Sequence, residues 1–266
     1  MCGRYSLQTK RVDLARELAL PEDEILDLPA RWNIAPSQPV PVLRRGETPA
    51  RASRPLMALH VWGLVPAWAK DPRGGGRLIN ARRESLATRP SFRDSLFEGR
   101  RCLVIADGFY EWAPIKPGGP RMPHYIRLKS GQPFTIAGLW ARWRSPADEP
   151  LDTCTIVTGP PNEIVRPLHD RMPVILPPEA REAWLAPDQR DERELLALLD
   201  VFPADRLESY PVSRHVNSPD NDDASCIAPF AEDDASSSPA APRPPRRRPR
   251  LARGGSSGDL DLFGGA

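Results

Sequence analysis

The stretch RCLVIADGFYEW, Arg101–Trp112, reads as a buried strand that breaks at Gly108 and resumes. Its valine, isoleucine and aromatic content suits a pleated backbone, and a glycine inside such a run marks a bend. One residue is out of character. Glu111 stands between Tyr110 and Trp112 in a strongly apolar setting. Period-two alternation would let it face solvent. The other reading is a carboxyl whose apolar neighbours raise its pKa, as proton transfer requires.

Strand signals recur on both sides, at Val40–Arg44, Met57–Trp62, Tyr125–Leu128, Phe134–Trp143, Thr153–Thr158 and Leu207–Val212. A helix is predicted over Thr9–Leu20, capped by Thr9 or Asp13, with Val12, Ala15, Leu18 and Ala19 on one side. Others are expected over Ser91–Arg100, Pro177–Leu185 and Glu192–Leu199, and Pro160-Pro161 opens a further short one. RWNIAP, Arg31–Pro36, reads as an ordered loop. Gly74-Gly75-Gly76 is a flexible loop; no Lys-Ser/Thr follows to make it a phosphate cradle. WGLVPAW, Trp62–Trp68, sets two tryptophans either side of a turn, each a core residue or a ring able to stack on a base. Many short strands with a few helices indicate an α+β fold, built on twisted, barrel-like antiparallel sheets with flanking helices.

Composition divides the 266 residues into a domain over 1–230 and a tail over 231–266, rich in proline, arginine, glycine and serine and expected to be disordered. The tail holds 6 arginines and 5 acids, leaving 31 basic against 30 acidic residues in the domain. Any nucleic-acid surface must therefore be a local patch. No secretory signal and no apolar run of membrane-spanning length is apparent, so a soluble, cytoplasmic protein is expected. The four cysteines, Cys2, Cys102, Cys154 and Cys226, form no C-x-x-C. His60, His124, His169 and His215 have no H-x-x-x-H spacing, and neither metal nor cofactor is predicted. Cys102 and Cys154 read as small core residues. His169, in a turn before a proline, earns no assignment alone.

Cys2 carries the sharpest chemistry. Once Met1 is removed, the chain begins with an amine and a thiol on adjacent carbons, titrating near ~7.7–8.0 and ~8.5 when unperturbed. That pair captures an aldehyde twice: the amine gives a Schiff base, and the thiol closes a five-membered thiazolidine.

MCGRY, RWNIAP, WGLVPAW, INARRES, RCLVIADGFYEW, HDRMPVIL and PVSRHVN together resemble the SOS-response-associated peptidase (SRAP) family, whose members shield abasic sites in single-stranded DNA. The motifs occur in family order from Cys2 to about Pro229. The departures are Ser85, where threonine is common, and the glycine-rich insertion before Arg77. The resemblance implies that Cys2 cross-links to the ring-opened sugar, with Asn80 as active-site amide and Glu111 and His169 as the proton-transfer pair. It implies Arg4, Arg82 and Arg171 as phosphate ligands, and Asn33, Pro36 and Trp68 at the DNA surface. A Schiff base also permits β-elimination, so weak lyase activity is expected, and the protein is expected to be a monomer associated with the nucleoid. The competing reading is a thiol peptidase, with Cys2 as N-terminal nucleophile able to remove Met1. A third is a non-covalent single-strand binder with Cys2 idle.

In the tail, Asp259-Leu260-Asp261-Leu262-Phe263 is similar to the short bacterial motif that docks on the sliding clamp, with aspartate where glutamine is usual.

Overall fold

Two sheets share the chain, and Arg101–Trp112 feeds both. The computed structural model describes residues 2–47, 54–115 and 118–230. The clamp-like motif at 259–263 lies outside them. In chain order the elements are β1 (Tyr5–Leu7), α1 (Arg11–Leu18), β2 (Arg31–Ile34), β3 (Pro39–Arg45), β4 (Pro55–Trp62), β5 (Asn80–Arg82) and α2 (Pro90–Phe97). There follow β6 (Arg101–Ala106), β7 (Gly108–Pro114), β8 (Arg121–Leu128), β9 (Phe134–Arg144) and β10 (Pro150–Gly159). The last are β11 (Met172–Pro173), β12 (Ile175–Leu176), α3 (Pro178–Leu185), α4 (Glu192–Ala197) and β13 (Leu207–Pro211).

Strands β10, β4, β3, β6 and β9 pair in that order, and β9 pairs back onto β10, closing a five-stranded barrel. Closure leaves this ring no unpaired edge. All its pairings are antiparallel except β10 with β4. Short β5 and β11 add to β10, and β12 adds to β9. The second sheet runs β13-β8-β7-β1-β2 and is antiparallel throughout. The expected α+β, barrel-like architecture is what the chain adopts.

The switch between sheets sits at Asp107, one residue before the glycine. Its carboxylate, 6% exposed, accepts from the Gln8 and Thr9 amides (2.5 and 2.8 Å) and from the Thr9 hydroxyl (2.5 Å). That tie fixes the strand break to the link between β1 and α1. Gly108 is needed because a Cβ there would stand 2.3 Å from the Tyr125 ring. Behind the barrel, buried Arg101 donates to the Leu96, Trp184 and Ala186 carbonyls near the ends of α2 and α3. One guanidinium thereby satisfies carbonyls that both helix ends would otherwise leave open.

Several local expectations need correction. RWNIAP is not a loop: Arg31–Ile34 form β2, paired to β1, because the Trp32 and Asn33 amides also find an acceptor in Asp222. Thr9 does not cap α1, its hydroxyl being spent on Asp107. Val12 is 45% exposed, and the buried face is Leu14, Ala15 and Leu18. Pro160-Pro161 opens turns rather than a helix. Gly74–Gly76 fall in a short 3-10 stretch, Pro72–Arg77. Among the described residues no helix is long and apolar enough to cross a membrane.

Candidate functional site

Strand β1, inside the second sheet, carries Cys2 to β5 of the first, where Asn80 meets it. Strand β1 pairs with β7 at Tyr5↔Phe109, and the Tyr110 amide donates to the Arg4 carbonyl (3.0 Å), which carries Glu111 to the level of Gly3. The Tyr5 ring packs edge-on against Trp62, 5.4 Å between centroids. Trp62 in turn donates through Nε1 to the Ile79 carbonyl (2.8 Å), next to Asn80. A core tryptophan thus locks β1 to β5.

Asn80 completes the link. Its Nδ2 donates to the Cys2 carbonyl (2.8 Å), while its Oδ1 is buried with no hydrogen-bond partner. A buried amide oxygen left open costs about 1–3 kcal/mol, so the site keeps an acceptor in reserve beside Cys2. Cys2 itself is 0% exposed. Burial pushes its thiol well above the ordinary range; the negative charge of Glu111 adds to this and the positive chain terminus opposes it.

Glu111 is 3% exposed, which settles its two readings in favour of the buried one. Burial lifts its carboxyl to about 7, against the pull of the chain terminus and Arg121. His169 goes the other way. Burial and the same terminal charge lower its pKa, keeping the ring neutral near pH 7. The Arg171 amide donates to His169 Nδ1 (2.9 Å), so Nε2 carries the hydrogen in the neutral ring. The Asp170 carboxylate lies 2.8 Å from the same Nδ1 and would take over as acceptor if the ring were protonated there. The charge of Glu111 acts on the Cys2 thiol, and Asp170 and Arg121 act on both Glu111 and His169, which places all three in one electrostatic neighbourhood.

The arginines and the proposed base-packing residues divide. Arg82 is exposed, two residues beyond Asn80 on β5. Trp68 is 63% exposed, so of the two tryptophans in WGLVPAW it is the surface ring and Trp62 the core one. Pro36 is half-buried in a turn tied to Trp62 by the Ser37 amide (2.8 Å). Arg171 is already engaged: it forms a two-pronged pair with Glu84 (2.9 and 2.7 Å) and donates to the Thr158 carbonyl (2.8 Å). Asn33 corrects an expectation. It is 0% exposed, its Oδ1 accepts from Arg4 (2.6 Å), and its Nδ2 donates to the Ser218 and Asn221 carbonyls (2.9 and 2.6 Å). It seats Arg4 and does not reach the surface.

Two further neighbours are not singled out by the sequence. Arg121, at the start of β8, lowers the pKa of both Glu111 and His169. Glu84 lies within INARRES, and its alternation with Arg82 was its one visible signal.

Residues 1–219 match the family model described as SOS response associated peptidase (SRAP). The chain belongs to the SRAP family. It is 41% identical over 231 residues to the abasic site processing protein YoqW of Bacillus subtilis, covering 85% of this chain and 99% of that one. It is 31% identical to the abasic site processing protein HMCES of Gallus gallus, covering 86% and 78% of the two chains. A solved Bordetella bronchiseptica structure superposes with a TM-score of 0.65 at 26% identity, over 80% of this chain and 100% of that one. A Bacteroides thetaiotaomicron structure shares the fold with a TM-score of 0.74, over 86% of this chain and 100% of that one.

Proposed function

We propose that this protein processes abasic sites in single-stranded DNA by cross-linking to them through Cys2. The observation that carries the reading is that Cys2 has beside it an amide with an open acceptor, Asn80, and feels the charge of a carboxyl lifted to about 7, Glu111. An abasic deoxyribose is partly an open-chain aldehyde. After loss of Met1, the Cys2 amine adds to it and water leaves as the imine forms. The thiol then adds across the imine, its sulfur bonding to carbon and its proton moving to nitrogen.

Each residue has a task in that sequence. Glu111, near half-ionised at pH 7, can give a proton to a departing oxygen and take one from the amine or thiol. It suits both directions better than a carboxyl of ordinary pKa. His169, neutral with its hydrogen on Nε2, supplies a donor for the sugar oxygen as the ring opens. Asn80 accepts from the amine through Oδ1 and so orients attack. Arg82 and Arg4 meet flanking phosphates, Trp68 and Pro36 offer packing for neighbouring bases, and Arg171 joins them only by giving up Glu84. β-Elimination from the imine would give weak strand cleavage, and removal of Met1 by Cys2 itself would account for the peptidase in the family's description.

The test uses Cys2→Ser. A serine amine still forms an imine that borohydride traps, but gives no stable ring. The variant should yield adduct only with reductant, and the wild type without it. Equal, reductant-free cross-linking by both would remove Cys2 from the chemistry.

A further inference from the structure

Beyond β13 the chain folds back as a strap, 213–230, held at its end by the Val212↔Pro229 bridge and by the Phe230 amide on the Pro211 carbonyl (2.9 Å). The strap brings together three side chains that the cross-linking chemistry does not use. His215, Asp223 and Cys226 each offer one ligand atom, and all three atoms lie within 4.8 Å of one another. They are a nitrogen, a carboxylate oxygen and a sulfur, spaced H-x7-D-x2-C.

We propose that His215, Asp223 and Cys226 form a binding site for a borderline-soft divalent cation, zinc being the natural occupant. Nitrogen, oxygen and sulfur together suit zinc and disfavour magnesium or calcium. Tetrahedral bonds of the usual zinc lengths set ligand atoms roughly 3.3–3.7 Å apart, so a movement of about 1 Å closes the set. His215 Nε2 and Asp223 Oδ2 already stand 3.0 Å apart.

The surroundings resemble the outer shell that metal ligands need. Asp223 Oδ1 accepts from the Ser225 amide and hydroxyl (2.9 and 2.5 Å), leaving Oδ2 turned toward His215. The His215 carbonyl accepts from Asn221 Nδ2 (2.7 Å). Cys226 is 0% exposed and its thiol donates to the Asn221 carbonyl (3.4 Å); on binding, that proton leaves to solvent and the thiolate bonds the metal. His215 and Asp223 are 37% and 58% exposed, so their side stays open to water as a fourth ligand. A sealed thiol without room for a substrate argues against a cysteine–histidine hydrolytic pair here.

The site has a structural consequence. Val216, next to His215, gives its carbonyl to Arg4 (2.9 Å), and Asp222, next to Asp223, holds Arg31 and the start of β2. Metal binding would tie down the strap on which Arg4 rests.

The experiment uses the full chain, stripped with chelator and titrated with Co2+ as a spectroscopic stand-in, then with Zn2+. One equivalent of cobalt should bind with a sulfur-to-cobalt charge-transfer band, lost in Cys226→Ser and in His215→Ala. A free N-terminal aminothiol is itself a chelator, so Cys2→Ser is the control; the band should survive there, because Cys226 supplies the sulfur. Zinc at a hundred times its Kd should raise Tm by roughly 5–10 °C in the wild type, and not in the surface variant His215→Ala. Absence of the sulfur band, its loss in Cys2→Ser, or an equal rise of Tm in His215→Ala would overturn the proposal.

Discussion

Replacing Glu111 by glutamine should stabilise the protein, and only above mildly acidic pH. Glu111 titrates at about 7 in the folded chain, against an ordinary value of 4.5. Between those values the folded state holds a proton that the unfolded state has released, so stability falls as pH rises through the window. At pH 4 both states carry the neutral acid, and glutamine imitates it closely. By pH 8 the wild type must bury a carboxylate, at a cost of about 3 kcal/mol, which glutamine avoids. Urea unfolding of both proteins at half-unit steps from pH 4 to pH 8 reads this directly. The variant should gain on the wild type progressively, to about 3 kcal/mol at pH 8, with the change centred between 4.5 and 7. A difference independent of pH, or a wild type that becomes the more stable partner at pH 8, would refute a buried carboxyl held near neutrality.

Other consequences follow from the same geometry. The rate of adduct formation in wild type should change through an apparent pKa near 7, and Glu111→Gln should flatten that profile while slowing formation or reversal by roughly 10²-fold. Because Trp68 is 63% exposed, Trp68→Ala should leave Tm unchanged and weaken single-strand binding by ~1–3 kcal/mol, as fluorescence anisotropy would show. Arg82→Ala should lower the slope of log Kd against log salt by about one; Arg171→Ala should do the same only insofar as DNA displaces Glu84, which Glu84→Gln would enhance. Asn33→Ala should cost about 2 kcal/mol or more in urea unfolding, because it strips buried carbonyls and Arg4 of partners at once.

What was legible in the sequence was mostly what depends on chain-local pattern. Barrel strands such as Val40–Arg44 and Phe134–Trp143 show themselves as apolar runs, and the structure extends them by only a residue or two. Cys2 was legible because the aminothiol needs no tertiary partner to be recognised. Glu111 was not decided locally: alternation allows either face, and the fold leaves it 3% exposed. Arg31–Ile34 reads locally as a loop because Asp222, the acceptor for its Trp32 and Asn33 amides, comes from about 190 residues away. The same distance hid the part played by Asn33, since a polar residue in a motif reads equally as a surface contact or a buried brace. His215, Asp223 and Cys226 match no common ligand spacing, and a folded strap is what gathers them.

A covalent bond between Cys2 and the sugar would show itself in the intact mass of the protein. The protein lacking Met1 is mixed with an oligonucleotide carrying one abasic site, denatured and weighed. The mass should rise by that of the oligonucleotide less one water, with no gain from an unmodified strand and none without reductant in Cys2→Ser. No gain in mass, or full cross-linking by protein that retains Met1, would contradict it.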